Sequence, residues 1–273
     1  MVQLTQEDLQ RIVVLEGPPF SGKTTLLNYI SEKHGDRFIT IKEMSEYMGG
    51  DIHGPKFPYE SFNDAKAGLH FLIEVERSRW NDVKNALKQK DKIVLIDRLL
   101  PISTSAFLAL IEKTNASWHN FSVNIYDYSV SLFNTAMKRD LFAFPLLYVL
   151  LYPKNQQIFT ARISRGANNN FIKNWSNNHA MTEIYKKYFS GLLSNNQLCF
   201  IESDNCLSSL QDAVNKIEHM AKLERADWKF FSTKNLQRKP IAKIDFEAES
   251  IRYSEEIGRA RQCINHARVL YES

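Results

Sequence analysis

The sequence predicts an α/β fold, in which a doubly wound parallel sheet of about five strands is flanked by helices. The first observation is a set of short apolar runs without polar alternation, which is typical of strands buried on both faces. These runs cover residues 11–16, 38–42, 92–97, 144–152 and 198–202. The second observation is that segments with helical spacing separate the runs. Strands that alternate with helices imply parallel order and right-handed crossovers.

The predicted helices rest on apolar residues that recur every three or four positions. In the longest of them, Leu69, Ile73, Trp80 and Val83 fall on one stripe, which is typical of an amphipathic helix. The helices are predicted at 22–35, 61–88, 103–113, 125–140, 156–165, 179–194, 207–225 and 246–271.

The chain is expected to divide into a domain of residues 1–225 and an extension of residues 226–273. Residues 229–245 are polar and basic, and helical character returns in residues 246–271. This last helix is expected either to pack on the core or to mediate assembly, for example as a homodimer. The sequence shows no internal repeat.

Composition indicates an ordinary folded protein of 273 residues, with 44% hydrophobic and 24% charged residues. The 35 basic and 31 acidic residues give a net charge of +4. This mild excess suits a cleft that binds phosphate and disfavours a nucleic-acid surface, which is usually more basic. The three cysteines lack metal-ligand spacing and predict reduced thiols. The longest apolar run, residues 141–152, is too short to span a bilayer, so we expect a cytoplasmic protein without a membrane partner.

The strongest motif is Gly-x4-Gly-Lys-Thr at residues 17–24, between the first strand and the next helix. Backbone N–H groups of such a loop and of the helix N-terminus face a polyphosphate. Lys23 is expected to reach the β- and γ-phosphates of ATP, and the Thr24 hydroxyl to ligate Mg²⁺. Pro18 and Pro19 carry no N–H, so the residues after them must supply the donors. The predicted ATP-binding residues are Gly17, Phe20, Ser21, Gly22, Lys23, Thr24 and Thr25.

Three shorter motifs accompany this P-loop. They are Glu16-Gly17 before the loop, Asp97-Arg98 at the end of the third strand, and Glu76-Arg77-Ser78-Arg79 in the long helix. Together the motifs resemble the thymidylate kinase and deoxynucleoside kinase superfamily of P-loop kinases, over about residues 10 to 225. The resemblance implies a P-loop NTPase fold and ATP-dependent phosphoryl transfer to a nucleotide or nucleoside.

The resemblance gives the pair after the third strand a catalytic role. It implies that Asp97 positions the acceptor or the metal ion and that Arg98 stabilises the transferred phosphate. A carboxylate at the carboxyl end of a parallel strand lies where α/β proteins bind ligands. A salt bridge at the strand end is the structural alternative.

The resemblance also places acceptor-binding residues. It implies that Arg77 holds the acceptor's 5′ end or its phosphate, for which a guanidinium offers bidentate geometry. Arg79 is the competing choice, and an arginine that only covers apolar surface is the alternative. Glu43 ends the second strand, where the resemblance implies a glutamate that activates an acceptor hydroxyl. Glu46 competes for this assignment, and an exposed loop acid is the alternative.

Aromatic residues are expected to line the base of the acceptor. Phe107 lies ten residues after Asp97, where the resemblance implies an aromatic side chain under the base. His70 and Phe71 are further candidates for the lining. Each of them could equally be a core residue, which is the commoner role of an aromatic side chain on a helix.

The resemblance implies a lid whose arginines, Arg162 and Arg165, close over the phosphates. Closure expels water and strengthens each charge contact. The chain departs from the family pattern here, because Asn168 to Asn170 stand where nucleoside kinases often carry acidic residues. The P-loop carboxylate of thymidylate kinases is also missing, and Pro19 occupies that neighbourhood.

The sequence therefore predicts a P-loop kinase that acts most like a thymidylate kinase, with a nucleoside monophosphate as acceptor. A deoxynucleoside kinase, or a kinase of a hydroxyl group on nucleic acid, is the first alternative. The second is an ATP-binding regulatory protein that has no acceptor site.

Overall fold

The computed structural model describes residues 4–49, 54–55, 61–100, 103–104, 119–141, 143, 145, 147–166, 181–193, 197–204, 206–223 and 244–272. Phe107, most of the predicted helix 103–113 and Asn168 to Asn170 lie outside these ranges. The described elements are α1 (Gln6–Gln10), β1 (Ile12–Glu16), α2 (Lys23–Lys33), β2 (Phe38–Ile41), α3 (Met44–Tyr47), α4 (Phe62–Ala86), β3 (Ile93–Asp97), α5 (His119–Lys138), β4 (Leu147–Pro153), α6 (Gln156–Gly166), α7 (Met181–Leu192), β5 (Leu198–Ser203), α8 (Leu207–Lys222), α9 (Phe246–Arg252) and α10 (Ser254–Glu272).

The five strands form one sheet in the order β2-β3-β1-β4-β5. The pairs β1–β3, β1–β4 and β4–β5 are parallel. Every residue of β1 and β3 is buried, as their unbroken apolar sequences predict. The predicted fold class is confirmed. Because β1 lies between β3 and β4, the carboxyl ends of three strands meet beside the segment that follows β1.

The chain forms two compact units. The first consists of residues 1–40, 89–98 and 144–231, and it includes β1, β3, β4 and β5. The second consists of residues 41–88, 99–143 and 232–273, and it includes α4, α5, α9 and α10. The predicted domain boundary after residue 225 stays a prediction.

The core of the first unit lies between the sheet and two helices. Leu26, Leu27 and Ile30 of α2 pack with Val214 and Ile217 of α8 in one buried apolar cluster that also contains side chains of β1, β3 and β4. α2 begins at Lys23, within the P-loop motif, so this packing holds the helix at whose N-terminus the loop ends.

In the second unit, α4 and α10 lie side by side and run parallel. The Tyr253 hydroxyl donates to Asn63 (2.8 Å), and Arg268 donates to Ser78 (3.2 Å), so contacts advance in the same direction along both helices. The predicted single helix 246–271 is wrong in one respect, since the structure breaks it at Tyr253 into α9 and α10. The break seats the buried Tyr253 side chain against α4. None of the helices in the described part of the chain has the length and apolar content needed to cross a membrane.

His70 lies in a buried polar network of the second unit. Its Nε2 is 3.0 Å from the Tyr128 hydroxyl, which donates to Glu249 (2.7 Å) and therefore accepts from His70. The imidazole also stacks on Tyr253, with 4.9 Å between the ring centroids. Burial lowers the pKa of His70 from 6.5 to about 4, with a smaller opposing effect of Glu249 and a small lowering by Lys66. The network therefore contains a neutral imidazole at neutral pH.

This network predicts a loss of stability in mild acid. Because the pKa of His70 is lower in the folded than in the unfolded chain, the unfolded chain binds the extra proton as the pH falls below 6.5. We expect the free energy of unfolding to fall by about 2 kcal/mol between pH 7.5 and pH 5 from this residue alone. Urea unfolding at both pH values measures it. His70→Gln should remove that part of the pH dependence, and an unchanged difference would contradict the prediction.

Candidate phosphate-binding site

The P-loop connects β1 to α2 at the carboxyl edge of the sheet. The N-cap residue of α2 is Gly22, which has no side chain that could cap the helix. The first N–H groups of a helix have no partner within the helix and carry a partial positive charge. This end of α2 is therefore open to an anionic group, as the motif predicts.

Gly17 lets the loop start in close contact with β4. Its φ is +141°, and a Cβ atom at this position would lie 2.0 Å from the carbonyl oxygen of Leu151. Any other residue would clash with the backbone of β4 and would be strained as well. The first glycine of the motif is thus required by the neighbouring strand.

Two further loop residues adopt positive φ angles. Gly22 has φ 98°, which glycine adopts without cost, and Phe20 has φ 62°, which a residue with a Cβ rarely adopts. The Ser21 N–H donates to the carbonyl of Pro18 (3.3 Å), which closes a tight turn. Phe20 is therefore a strained residue of the loop. A contact from outside the loop, described below for Arg162, holds it in place.

Lys23 turns its side chain into the loop. Its Nζ lies 3.2 Å from the Gly17 carbonyl oxygen, 3.1 Å from the Pro18 carbonyl oxygen and 3.4 Å from Ser21 Oγ. The side chain is buried, although lysine is rarely buried without partners. An ammonium group held among loop oxygens can bind phosphate oxygens with little movement.

Asp97 is the last residue of β3, beside β1, and Arg98 follows it. Asp97 is buried and pairs in register with Leu15. Arg98 has φ 62°, and its N–H donates to the Leu15 carbonyl (2.9 Å). Its guanidinium donates to the Gly17 carbonyl (3.3 Å), so the structure brings this predicted catalytic arginine to the first residue of the P-loop.

Arg162 of α6 contacts the same loop from another direction. Its guanidinium donates to the Phe20 carbonyl (3.2 Å), and to the carbonyl (3.3 Å) and hydroxyl (3.5 Å) of Ser203. Burial lowers the pKa of Arg162, and Asp204 opposes this effect. Arg162 thus binds the strained residue of the loop. Sequence reasoning missed Ser203, although its place at the carboxyl end of β5 was a signal.

The other predicted donor-site residues lie on the same elements. Thr24 and Thr25 are exposed in the first turn of α2. Arg165 belongs to α6, and its side chain lies outside the described part of the structure. Its role in a lid stays a prediction.

The second unit holds the predicted acceptor residues. Glu43 is half-buried and is the N-cap residue of α3, whereas Glu46 pairs with Lys42 (3.0 Å). The two arginines of α4 differ. Arg79 is buried and binds Glu76 (2.7 Å), and Arg77 is half-exposed with Glu74 at 3.6 Å. Of these two, only Arg77 has a guanidinium that a ligand can reach.

His70 and Phe71 both contribute to the core of the second unit. Phe71 packs with Met48, Val75, Ala260 and Ile264. Burial of this kind is the commoner role of such residues, and their part in binding a base stays a prediction.

No protein-family model and no curated protein matches the sequence. Among solved structures, the chain is similar to deoxyadenosine kinase from M. mycoides with the products dCMP and a flexible dCDP bound. The identity is 11% and the TM-score 0.51, over 76% of this chain and 99% of that chain. A thymidylate kinase from Candida albicans has 14% identity and a TM-score of 0.48, over 81% and 97%. The first likeness shows that this chain has the fold of a P-loop kinase.

Proposed function

We propose that this chain is an ATP-dependent kinase that transfers the γ-phosphoryl group to a nucleoside monophosphate, most like a thymidylate kinase. The observation that carries the proposal is the position of Lys23, whose Nζ lies 3.1–3.4 Å from three oxygens of the loop. The loop begins at Gly17, where the neighbouring strand β4 leaves room only for glycine. The deoxyadenosine kinase of similar fold supports a nucleotide or nucleoside as acceptor.

Three positive side chains of the first unit contact the loop. Lys23 binds the Gly17 and Pro18 carbonyls, Arg98 binds the Gly17 carbonyl, and Arg162 binds the Phe20 carbonyl. Phosphoryl transfer spreads negative charge over the transferred oxygens, and catalysis consists mostly of positioning and charge stabilisation. In the proposal, Lys23 and Arg98 stabilise that charge, and Arg162 stabilises the backbone conformation of the loop at Phe20.

The residues proposed for Mg²⁺ offer the right ligand chemistry. The Thr24 hydroxyl and the Asp97 carboxylate supply oxygen, which Mg²⁺ prefers. The described residues hold no cluster of three or more His, Cys, Asp or Glu side chains. This suits an ion that takes its other ligands from phosphates and water. When bound, the ion would neutralise charge on the β- and γ-phosphates.

The acceptor assignment rests on the second unit. The half-exposed guanidinium of Arg77 favours an acceptor that carries a phosphate. A nucleoside is the second candidate, because the half-buried Glu43 lies between β2 and α3 and could serve as the base for a hydroxyl acceptor. The cytoplasmic location and the homodimer stay predictions.

A phosphorylation screen tests this proposal. The purified chain is incubated with ATP, Mg²⁺ and each common nucleoside, nucleoside monophosphate and a 5′-hydroxyl oligonucleotide, and ADP and products are measured by chromatography. We expect ADP release that depends on a monophosphate. Turnover of nucleosides alone would favour the second candidate, and turnover of the oligonucleotide alone would favour a nucleic-acid kinase. Slow ATP hydrolysis that ignores every acceptor would contradict a kinase and favour a regulatory protein.

A further inference from the structure

The helices α4 and α10 enclose a groove of about 320 Å³ within the second unit. Each helix contributes residues at positions i, i+3, i+4 and i+7, which form one stripe on a helix surface. The two stripes face each other across the groove that both of them line. They consist of Glu74, Arg77, Ser78 and Asn81 on α4, and of Arg261, Ile264, Asn265 and Arg268 on α10.

The groove begins where the contact between the two helices changes from apolar to polar. Beside this point, Phe71 and Val75 of α4 belong to one buried cluster with Ala260 and Ile264 of α10, and Ile264 also lines the groove. Packed helices normally fill their contact with interlocking apolar side chains. The stripe of α4 that lines the groove is instead entirely polar, and it meets α10 through the contacts of Glu74 with Arg261 (2.8 Å) and of Ser78 with Arg268 (3.2 Å).

The lining of the groove carries an excess of positive charge. It contains three arginines and one glutamate. Glu74 pairs with both Arg77 (3.6 Å) and Arg261 (2.8 Å). Arg268 donates to the hydroxyl of the buried Ser78, and no described carboxylate side chain pairs with it. The charge of Arg268 is therefore open to a ligand.

We propose that this groove binds a small phosphate-bearing ligand, with Arg268 as its principal anchor. Guanidinium groups bind phosphate oxygens in pairs, and the side-chain amides of Asn81 and Asn265 add neutral donors on the two rims. The volume is within the range of pockets that hold small molecules. Arg77 is also the arginine proposed above to meet the acceptor, whereas the anchor Arg268 has no part in that proposal, so the two proposals can fail separately.

The proposal is tested by calorimetry, which measures the binding of inorganic pyrophosphate at low salt. All variants carry Lys23→Ala, which weakens phosphate binding by the P-loop. Asn81→Asp changes an amide of the groove into a carboxylate of the same shape. Asn85→Asp makes the same change one turn further along α4, outside the groove, where its oxygen already accepts from Lys88 (2.9 Å). We expect Asn81→Asp and Arg268→Gln each to raise the Kd by about tenfold. Asn85→Asp should change it less than about twofold, as expected for an exposed charge.

Three results would overturn the proposal. The first is no detectable pyrophosphate binding to the Lys23→Ala protein. The second is an equal effect of Asn81→Asp and Asn85→Asp, which would indicate unspecific attraction. The third is a Kd for citrate as low as that for pyrophosphate, because the groove would then bind carboxylates and would not be a phosphate site. Thermal unfolding of each variant confirms that the comparison is made on folded protein.

Discussion

Lys23→Ala is expected to lower ATP-dependent phosphoryl transfer by about 10³-fold, the scale on which removal of one charge that stabilises a transition state acts. The ammonium already lies among oxygens of Gly17, Pro18 and Ser21, so it is positioned before any phosphate arrives. In the proposed reaction, its removal leaves the loop backbone but takes away a charge that stabilises the transferred phosphoryl group. Single-turnover transfer to the acceptor found in the screen measures the effect.

Lys33→Ala is the matched control for this prediction. Lys33 is the last residue of the same helix α2, and it is exposed. Its removal should leave the rate of phosphoryl transfer within about twofold, as expected for an exposed side chain away from the site. Circular dichroism of both variants separates loss of activity from loss of fold. A Lys23→Ala protein that turns over at the rate of the unchanged chain would show that this loop does not bind the donor.

The donor side of the site was predictable because local geometry imposes it. The strand before the loop and the helix that starts at Lys23 are consequences of residues within about fifteen positions. Local requirements of this kind are visible in a single sequence. The motif also contains Gly17, but the physical reason for this glycine is not local, because a Cβ atom there would meet the Leu151 carbonyl of the distant strand β4.

Contacts that depend on the order of distant strands were not predictable. Arg162 reaches Phe20 and Ser203 because α6 and the end of β5 meet beside the loop, and periodicity along the chain does not contain this information. The resemblance assigned Arg162 to the lid, and its contact with the strained Phe20 became visible only in the fold.

Arg79→Leu is expected to lower the free energy of unfolding by about 3–5 kcal/mol, the cost of removing one partner of a buried ion pair. Arg79 and Glu76 are each 1% exposed and lie 2.7 Å apart on successive turns of α4. Desolvation raises the pKa of Glu76, and Arg79 opposes this increase. Without Arg79, Glu76 must keep a buried charge without its counter-ion or bind a proton. Urea unfolding at pH 7.5 measures the loss.

Arg77 provides the matched control, since it lies two residues away on the same helix with a side chain that is 49% exposed. Arg77→Leu should change the free energy of unfolding by less than about 0.5 kcal/mol, as is usual for exposed positions. The double variant Glu76→Leu/Arg79→Leu removes both charges and should recover most of the stability that Arg79→Leu loses. A double variant that is less stable than Arg79→Leu would show that Glu76 stabilises α4 by contacts other than this ion pair. Recovery would mean instead that Arg79 acts as the counter-ion of Glu76, which leaves Arg77 as the arginine of this motif that can meet an acceptor.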